Sequence, residues 1–248
     1  MPHETGGTRR GRPRLWHHDY LHLRPLALDL ASTIEIAVGE GPYENVLDVG
    51  SGPSPYRALF GSRVARYVRL DRLEEARPGV VARAEAMPFR DGSFDAVVST
   101  QLWGLVDEPS ELVREIARVA KPGARVWLSG PANWPYDSAR AEHRFGAPDL
   151  PELAKELVVE TILPEGGMLG LPFALWNIAV REATLAAERR LGVVGRVLRG
   201  PAVVSNFVSN LAGRALERLA AAGPLSDFLG YLDGRMPMNF LVVARKRS

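Results

Sequence analysis

A chain of 248 residues, 46% hydrophobic and 24% charged, has an ordinary globular composition and is long enough to bury a sizeable core. Its formal net charge of +2 is too small to point to a nucleic-acid partner through counterion release, and the lack of cysteine excludes disulfides, thiolate catalysis and any zinc site built on sulfur. Only Lys121, Lys155 and Lys246 are lysines, so arginine is the general cation of this chain and arginine clusters carry little weight as ligand signals; a reducing cytoplasm is the expected location.

Residues 1–18, with Arg9, Arg10, Arg12 and Arg14 among glycine and proline and no apolar segment, are expected to form a disordered basic tail, not a secretory signal. A single domain is expected over 19–248. Tyr20 to Val38 has leucines and isoleucines at helical spacing with Asp29 and Glu35 opposite, which predicts a helix. Asn45 to Val49 is a short apolar run closed by Gly-Ser-Gly-Pro-Ser-Pro, the pattern of a buried strand entering a tight turn. Arg66 to Leu70 predicts a second strand ended by Asp71, Val80 to Ala82 a short third, and Phe94 to Ser99 a fourth; Arg72 to Arg77 is a short helical segment stopped by Pro78-Gly79.

From Pro109 the pattern predicts a helix capped by Ser110, with Leu112, Val113, Ile116, Val119 and Ala120 on one face and Lys121-Pro122-Gly123 as its stop. Arg125 to Ser129 is the fifth strand, Asp149-Leu150-Pro151-Glu152 has the form of a capping box opening another helix, and Val158 to Leu163 is the sixth strand. Strands alternating with helices in this way imply a parallel, doubly wound α/β sheet. The rhythm breaks from about 166 to 235, where helical segments precede a last strand at Asn239 to Ala244. Within them Phe207, Val208, Leu211, Ala215, Leu216 and Leu219 form an apolar stripe opposite Asn206, Asn210, Arg214 and Arg218; such a stripe is expected in a core or a partner-helix seam, with a lipid-facing role as its rival. The longest apolar stretch, Gly166 to Val180, falls short of the ~20 residues of a membrane span. Peripheral membrane contact stays open.

The turn after the first strand carries the chemistry. Gly50 and Gly52 let a ligand approach the backbone closely, and an acid such as Asp48 at the strand end can accept from an ammonium or hydroxyl group. The third glycine of a dinucleotide fingerprint is replaced by Pro53, Ser54 and Pro55, which favours a nucleoside without phosphates. Asp71, 21 positions after Gly50, stands where a carboxylate can hold both ribose hydroxyls of an adenosine.

Asp48-Val49-Gly50-Ser51-Gly52, Leu70-Asp71, Glu85-Ala86-Met87-Pro88-Phe89, Gly92-Ser93-Phe94-Asp95-Ala96-Val97-Val98-Ser99 and Glu115-Ile116-Ala117-Arg118-Val119-Ala120-Lys121-Pro122-Gly123 follow in an order that resembles the class I methyltransferases of the ubiquinone-biosynthesis-like group, methyltransferase type 11. The resemblance covers about Val46 to Ser129, and Phe240 to Lys246 resembles the antiparallel seventh strand of that family. It implies a Rossmann-like seven-stranded sheet, mostly parallel with an antiparallel last strand and a helical insertion before it, with S-adenosyl-L-methionine as cofactor. It also implies that Asp48, Gly50, Ser51 and Gly52 lie under the methionine part, Asp71 binds the ribose, Ala84 and Glu85 lie beside the adenine, and Ser99 and Thr100 border the methyl group. Two departures stand out: Arg83 replaces the family's usual acid two residues before Glu85, and Gln101-Leu102-Trp103-Gly104-Leu105 lacks the histidines often found near the acceptor.

The loop after the fifth strand, Gly130 to Phe145, should open over the carboxyl edge of the sheet. His143 is the best base candidate there because imidazole titrates near neutrality, against the alternative of a surface histidine capping backbone; Tyr136 and Trp134 are candidates for an aromatic wall. His17, His18 and His22 lack a carboxylate at ligand spacing, so no metal is expected. The expected activity is methyl transfer to a small-molecule acceptor, of hydrophobic or lipid-linked character given the apolar insertion. The alternatives are a non-catalytic cofactor-binding or scaffold protein of the same fold and a dinucleotide-dependent oxidoreductase.

Overall fold

The computed structural model describes residues 10–133, 143–224 and 226–248. Seven strands, β1 (Tyr43–Val49), β2 (Val64–Asp71), β3 (Val80–Val81), β4 (Phe94–Ser99), β5 (Ala120–Pro131), β6 (Leu157–Glu165) and β7 (Asn239–Lys246), lie in the order β3-β2-β1-β4-β5-β7-β6. β1 pairs in parallel with β2 and with β4, β2 with β3 and β4 with β5, while β7 runs antiparallel to β5. The chain therefore leaves β1 in one direction and returns to its other side through β4. Such a reversal opens a crevice at the carboxyl ends of the central strands.

Hydrophobic patterning explains the strands. Val46, Leu47 and Val49 of β1, Val97 of β4 and Val126 of β5 are fully buried, as expected of parallel strands covered on both faces. Leu112, Val113, Ile116 and Ala117 of α2 (Pro109–Val119) supply one apolar face to this core. Trp127 of β5 is buried with its Nε1 donating to Thr33 Oγ1 at 3.1 Å, which ties the strand to α1 (Tyr20–Gly39).

Local details differ from the sequence expectation. Glu108, not Ser110, occupies the N-cap position of α2, without a side-chain capping hydrogen bond, because Pro109 with its preset φ takes the first helical position. β5 begins directly at Ala120, and a register shift between Phe94 and Ala96 absorbs Lys121 to Ala124, with Gly123 at φ +77°. The capping box at Asp149 does not form: α3 (Leu150–Leu153) is a single turn, and the Asp149 carboxylate accepts the Gly146 N–H at 2.9 Å.

The chain divides into two compact units. Of the described residues, one comprises 10–11, 27–133, 143–163 and 239–248 and holds nearly all of the sheet; the other comprises 12–26, 164–224 and 226–238. The second unit contains α4 (Leu171–Leu191), α5 (Arg199–Ala222) and α6 (Ser226–Arg235). Its interior mixes apolar side chains, among them Leu21, Leu23 and Met238, with polar ones. Asn177 Nδ2 donates to Asn210 Oδ1 at 2.7 Å, and Asn210 Nδ2 donates to the carbonyls of Leu15 and His17 at 2.7 and 2.8 Å. Part of the expected tail, residues 12–18, is thus fixed to α5, while 1–9 lie outside the described residues. The α5 stripe is also reversed: Asn206, Ser209, Asn210 and Gly213 are buried, and Phe207, Val208, Leu211, Leu216 and Leu219 are exposed.

Candidate functional site

Where β1 ends, the backbone turns through Gly50 (φ +67°), Gly52 (φ +48°) and Ser54 (φ +57°), conformations open to glycine and costly for most other residues. The turn is tied to the neighbouring strand tip. The N–H groups of Gly50 and Ser51 both donate to the Leu70 carbonyl, at 2.9 and 3.0 Å, and Gly52 N–H donates to Asp71 Oδ2 at 2.8 Å. Asp71 Oδ1 accepts from Leu73 N–H at 2.9 Å. A carboxylate offers about four acceptor positions, so two remain for a ligand.

Both tips border a cleft of about 420 Å³, a size suited to a small ligand. Of the residues singled out by sequence, Gly50, Gly52, Asp71, Ala84, Glu85 and Thr100 line it. Asp48, Ser51 and Ser99 are buried and are not among the lining residues. Asp48 Oδ2 accepts from Ser54 Oγ at 2.6 Å and from the Tyr67 hydroxyl at 3.0 Å. Burial pushes this carboxyl up to about 6, with the two hydroxyl donors opposing the shift.

Sequence reasoning missed several lining residues: Arg10, assigned to the tail, and Leu73, Gln101, Leu102, Leu105 and Val106. The signal available for Gln101 is its place directly beyond the β4 tip. It adopts φ +56°, its N–H donates to Ser129 Oγ at 3.1 Å, and its buried Nε2 has no hydrogen-bond partner among the described residues. Leu102 packs on the glycine turn, since a Cβ at Gly50 would stand 2.7 Å from its Cδ1.

At another edge of the cleft Arg83 replaces an acid without leaving a stray cation. Its guanidinium pairs with Asp107 at 2.6 Å and Glu85 at 3.0 Å, and Glu85 also accepts the Asp107 N–H at 3.2 Å. The Arg83 hydrogen bond holds the Asp107 carboxyl below its ordinary value. Glu85 is thereby fixed from two sides.

His143 does not line the cleft. Its Nε2 lies 3.2 Å from the Asp107 carbonyl oxygen, and its ring stacks on Phe145, which meets Trp103 edge to face. Tyr136, with Trp134, lies outside the described residues. His17 is buried and its Nδ1 accepts from Arg14 N–H at 3.1 Å. Among the described residues, no group of three or more His, Asp or Glu side chains is placed to hold a metal ion.

Residues 47–128 match the model of a methyltransferase domain family. A protein of Mycobacterium sp. (strain JLS), described as an uncharacterized methyltransferase, is 36% identical over 94 residues, 34% of this chain and 37% of its own. Another of the same description from Mycobacterium tuberculosis (strain ATCC 25618 / H37Rv) is 35% identical over 112 residues, 40% of this chain and 42% of its own. The chain thus spans well under half the length of the curated relatives it matches. Among solved structures, the [4+2]-cyclase SpnF superposes with a TM-score of 0.55 at 19% identity, over 89% of this chain and 81% of its own. Phosphoethanolamine N-methyltransferase 2 of Haemonchus contortus, solved with S-adenosyl-L-methionine, gives 0.52 at 17% identity over 94% and 57%. These structural likenesses are of fold; one neighbour is named for a cyclisation, so fold alone does not fix a reaction.

Proposed function

We propose, from the match of residues 47–128 to a methyltransferase domain family, that this chain transfers the methyl group of S-adenosyl-L-methionine to a small acceptor of hydrophobic or lipid-linked character. One observation carries the reading: the glycine turn of β1 and the Asp71 carboxylate of β2 are a single hydrogen-bonded unit, joined at 2.8 Å, that borders one cleft.

That unit fits a nucleoside without phosphates better than a dinucleotide. The N–H groups of Gly50, Ser51 and Gly52 already donate to β2, Pro53 has none, and Ser54 N–H donates to the Ser51 carbonyl. A pyrophosphate needs such donors free at a helix N-terminus, whereas here only a four-residue 3₁₀ turn, Arg57–Phe60, follows. Asp71, by contrast, keeps acceptor capacity for ribose hydroxyls.

S-adenosyl-L-methionine, when bound, supplies a methyl group on a cationic sulfur, open to in-line displacement. The chain's own residues bind and orient. Asp71 would hold the ribose, and Gly50 and Gly52 would admit the amino-acid part close to the backbone. Gln101 Nε2, a buried donor, would find an acceptor in that part's carboxylate. Ala84 and the braced Glu85 would flank the adenine, while Thr100 just beyond the β4 tip would border the reacting methyl, with Ser99 buried behind it. Asp48, behind the turn, would support it through Ser54.

His143 we assign to holding the Asp107 segment in place of proton transfer. A general base contributes roughly 10²–10⁴-fold, so His143→Ala is expected to lower turnover by less than about tenfold; a loss of a hundredfold or more would return the ring to the reaction. Turnover is read by supplying methyl-labelled S-adenosyl-L-methionine with a total lipid extract or an aqueous metabolite extract. Label is expected in an organic-phase product. Label confined to aqueous products would overturn the acceptor class, and no label from either extract would oppose methyl transfer.

A further inference from the structure

The second unit carries a feature that methyl transfer does not use: α5 is inside out. A helix of a water-soluble fold turns its apolar stripe to the core. In α5 the buried positions are Asn206, Ser209, Asn210 and Gly213, and Val204, Val208, Leu211 and Leu219 at helical spacing are exposed. α4 behaves alike, burying Ala174 and Asn177 while exposing Leu175 and Trp176. The two helices meet through the Asn177–Asn210 hydrogen bond and through Ser209 Oγ donating to the Phe173 carbonyl at 3.2 Å. Small and polar residues between helices, with aliphatic side chains outward, is the packing of helices in a lipid environment.

The link between α4 and α5 extends the pattern. Val193, Val194 and Val197 are 74%, 71% and 73% exposed, on a turn that bears no acid. From Arg189 to Leu216 the sequence holds five arginines and no aspartate or glutamate. Arg199 is engaged by Glu188 at 2.5 and 2.7 Å, and Arg189, Arg190 and Arg196 are exposed beside the valines.

We propose that the α4–α5 hairpin is a docking surface for a bilayer containing anionic lipid, with its valine turn and the outer face of α5 in the acyl boundary and its arginines at the phosphate level. Interfacial binding of this kind combines buried apolar area with attraction to anionic headgroups. The charge distribution selects this occupant over a second copy of the chain: a twofold contact through the same patch would set arginine against arginine. Among the described residues no helix is long and apolar enough to cross a membrane, so the hairpin lies in the surface plane.

Flotation of the full chain without methyl donor tests this, using vesicles of phosphatidylcholine alone and of phosphatidylcholine mixed with phosphatidylglycerol. The chain is expected to float with the mixed vesicles and to bind them less as salt rises. The combined variant Val194→Glu, Val197→Glu, Val208→Glu, which alters only exposed positions, is expected to lower partitioning by about tenfold or more. Arg189→Glu with Arg190→Glu and Arg196→Glu is expected to abolish the preference for phosphatidylglycerol. A wild-type chain that stays in solution with mixed vesicles, or a valine variant that floats as well as wild type, would overturn the proposal. So would sedimentation showing a wild-type dimer that the valine variant dissociates.

Discussion

Replacing Asp71 by alanine is expected to weaken binding of S-adenosylhomocysteine by roughly 1–3 kcal/mol, about five- to 150-fold, the cost of losing hydrogen bonds to a charged group. Two effects act together. The substitution removes the acceptors proposed for the ribose hydroxyls, and it also releases Gly52 N–H and Leu73 N–H, which fix the turn. A merely structural role would appear as a lower melting temperature of the free protein with ligand affinity unchanged. Affinity equal to wild type, measured calorimetrically, would remove Asp71 from the nucleoside site.

Asp48→Asn is expected to stabilise the protein at pH 7 and to leave it little changed near pH 4. Burial raises the folded-state pKa of Asp48 to about 6, against an ordinary 3.8. Below the lower value the carboxyl is protonated both folded and unfolded. Between the two, the folded state keeps a proton that the unfolded chain releases, so stability falls as pH rises. Above about 6 the fold carries the whole cost of the buried anion, at most about 3 kcal/mol for a shift of roughly two units. Asparagine keeps a carbonyl oxygen to accept from the Ser54 and Tyr67 hydroxyls, which now donate to Asp48. Thermal unfolding of both proteins from pH 4 to 8 reads the effect, and an asparagine variant less stable than wild type at pH 7 would contradict it.

Much of the sheet is legible in the sequence because its central strands are buried on both faces. Asn45 to Val49 and Phe94 to Ser99 are short apolar runs whose ends are marked by Gly50 and by the polar Thr100-Gln101, and the structure places β1 and β4 within two residues of those bounds. The nucleoside cleft is legible for a related reason: a glycine turn and a strand-ending carboxylate are local features, and adjacent parallel strands bring them together. Features set by tertiary contact are not legible. Helical spacing reveals that α5 has an apolar face but not which medium that face meets, and the buried asparagines exclude only a place for that face in this chain's own core. Gln101 and Arg10 join the cleft through backbone path, not residue type. His143 has the right chemistry for a base, yet its ring stands against the Asp107 carbonyl, stacked on Phe145, and is not among the lining residues of the cleft.

Isothermal titration of the full chain with S-adenosylhomocysteine, and separately with NAD⁺, tests the identity of the cleft's ligand most directly. A single site of micromolar affinity or tighter for the first ligand and no heat for the second is the expected result. Binding of NAD⁺ with no response to S-adenosylhomocysteine would contradict it.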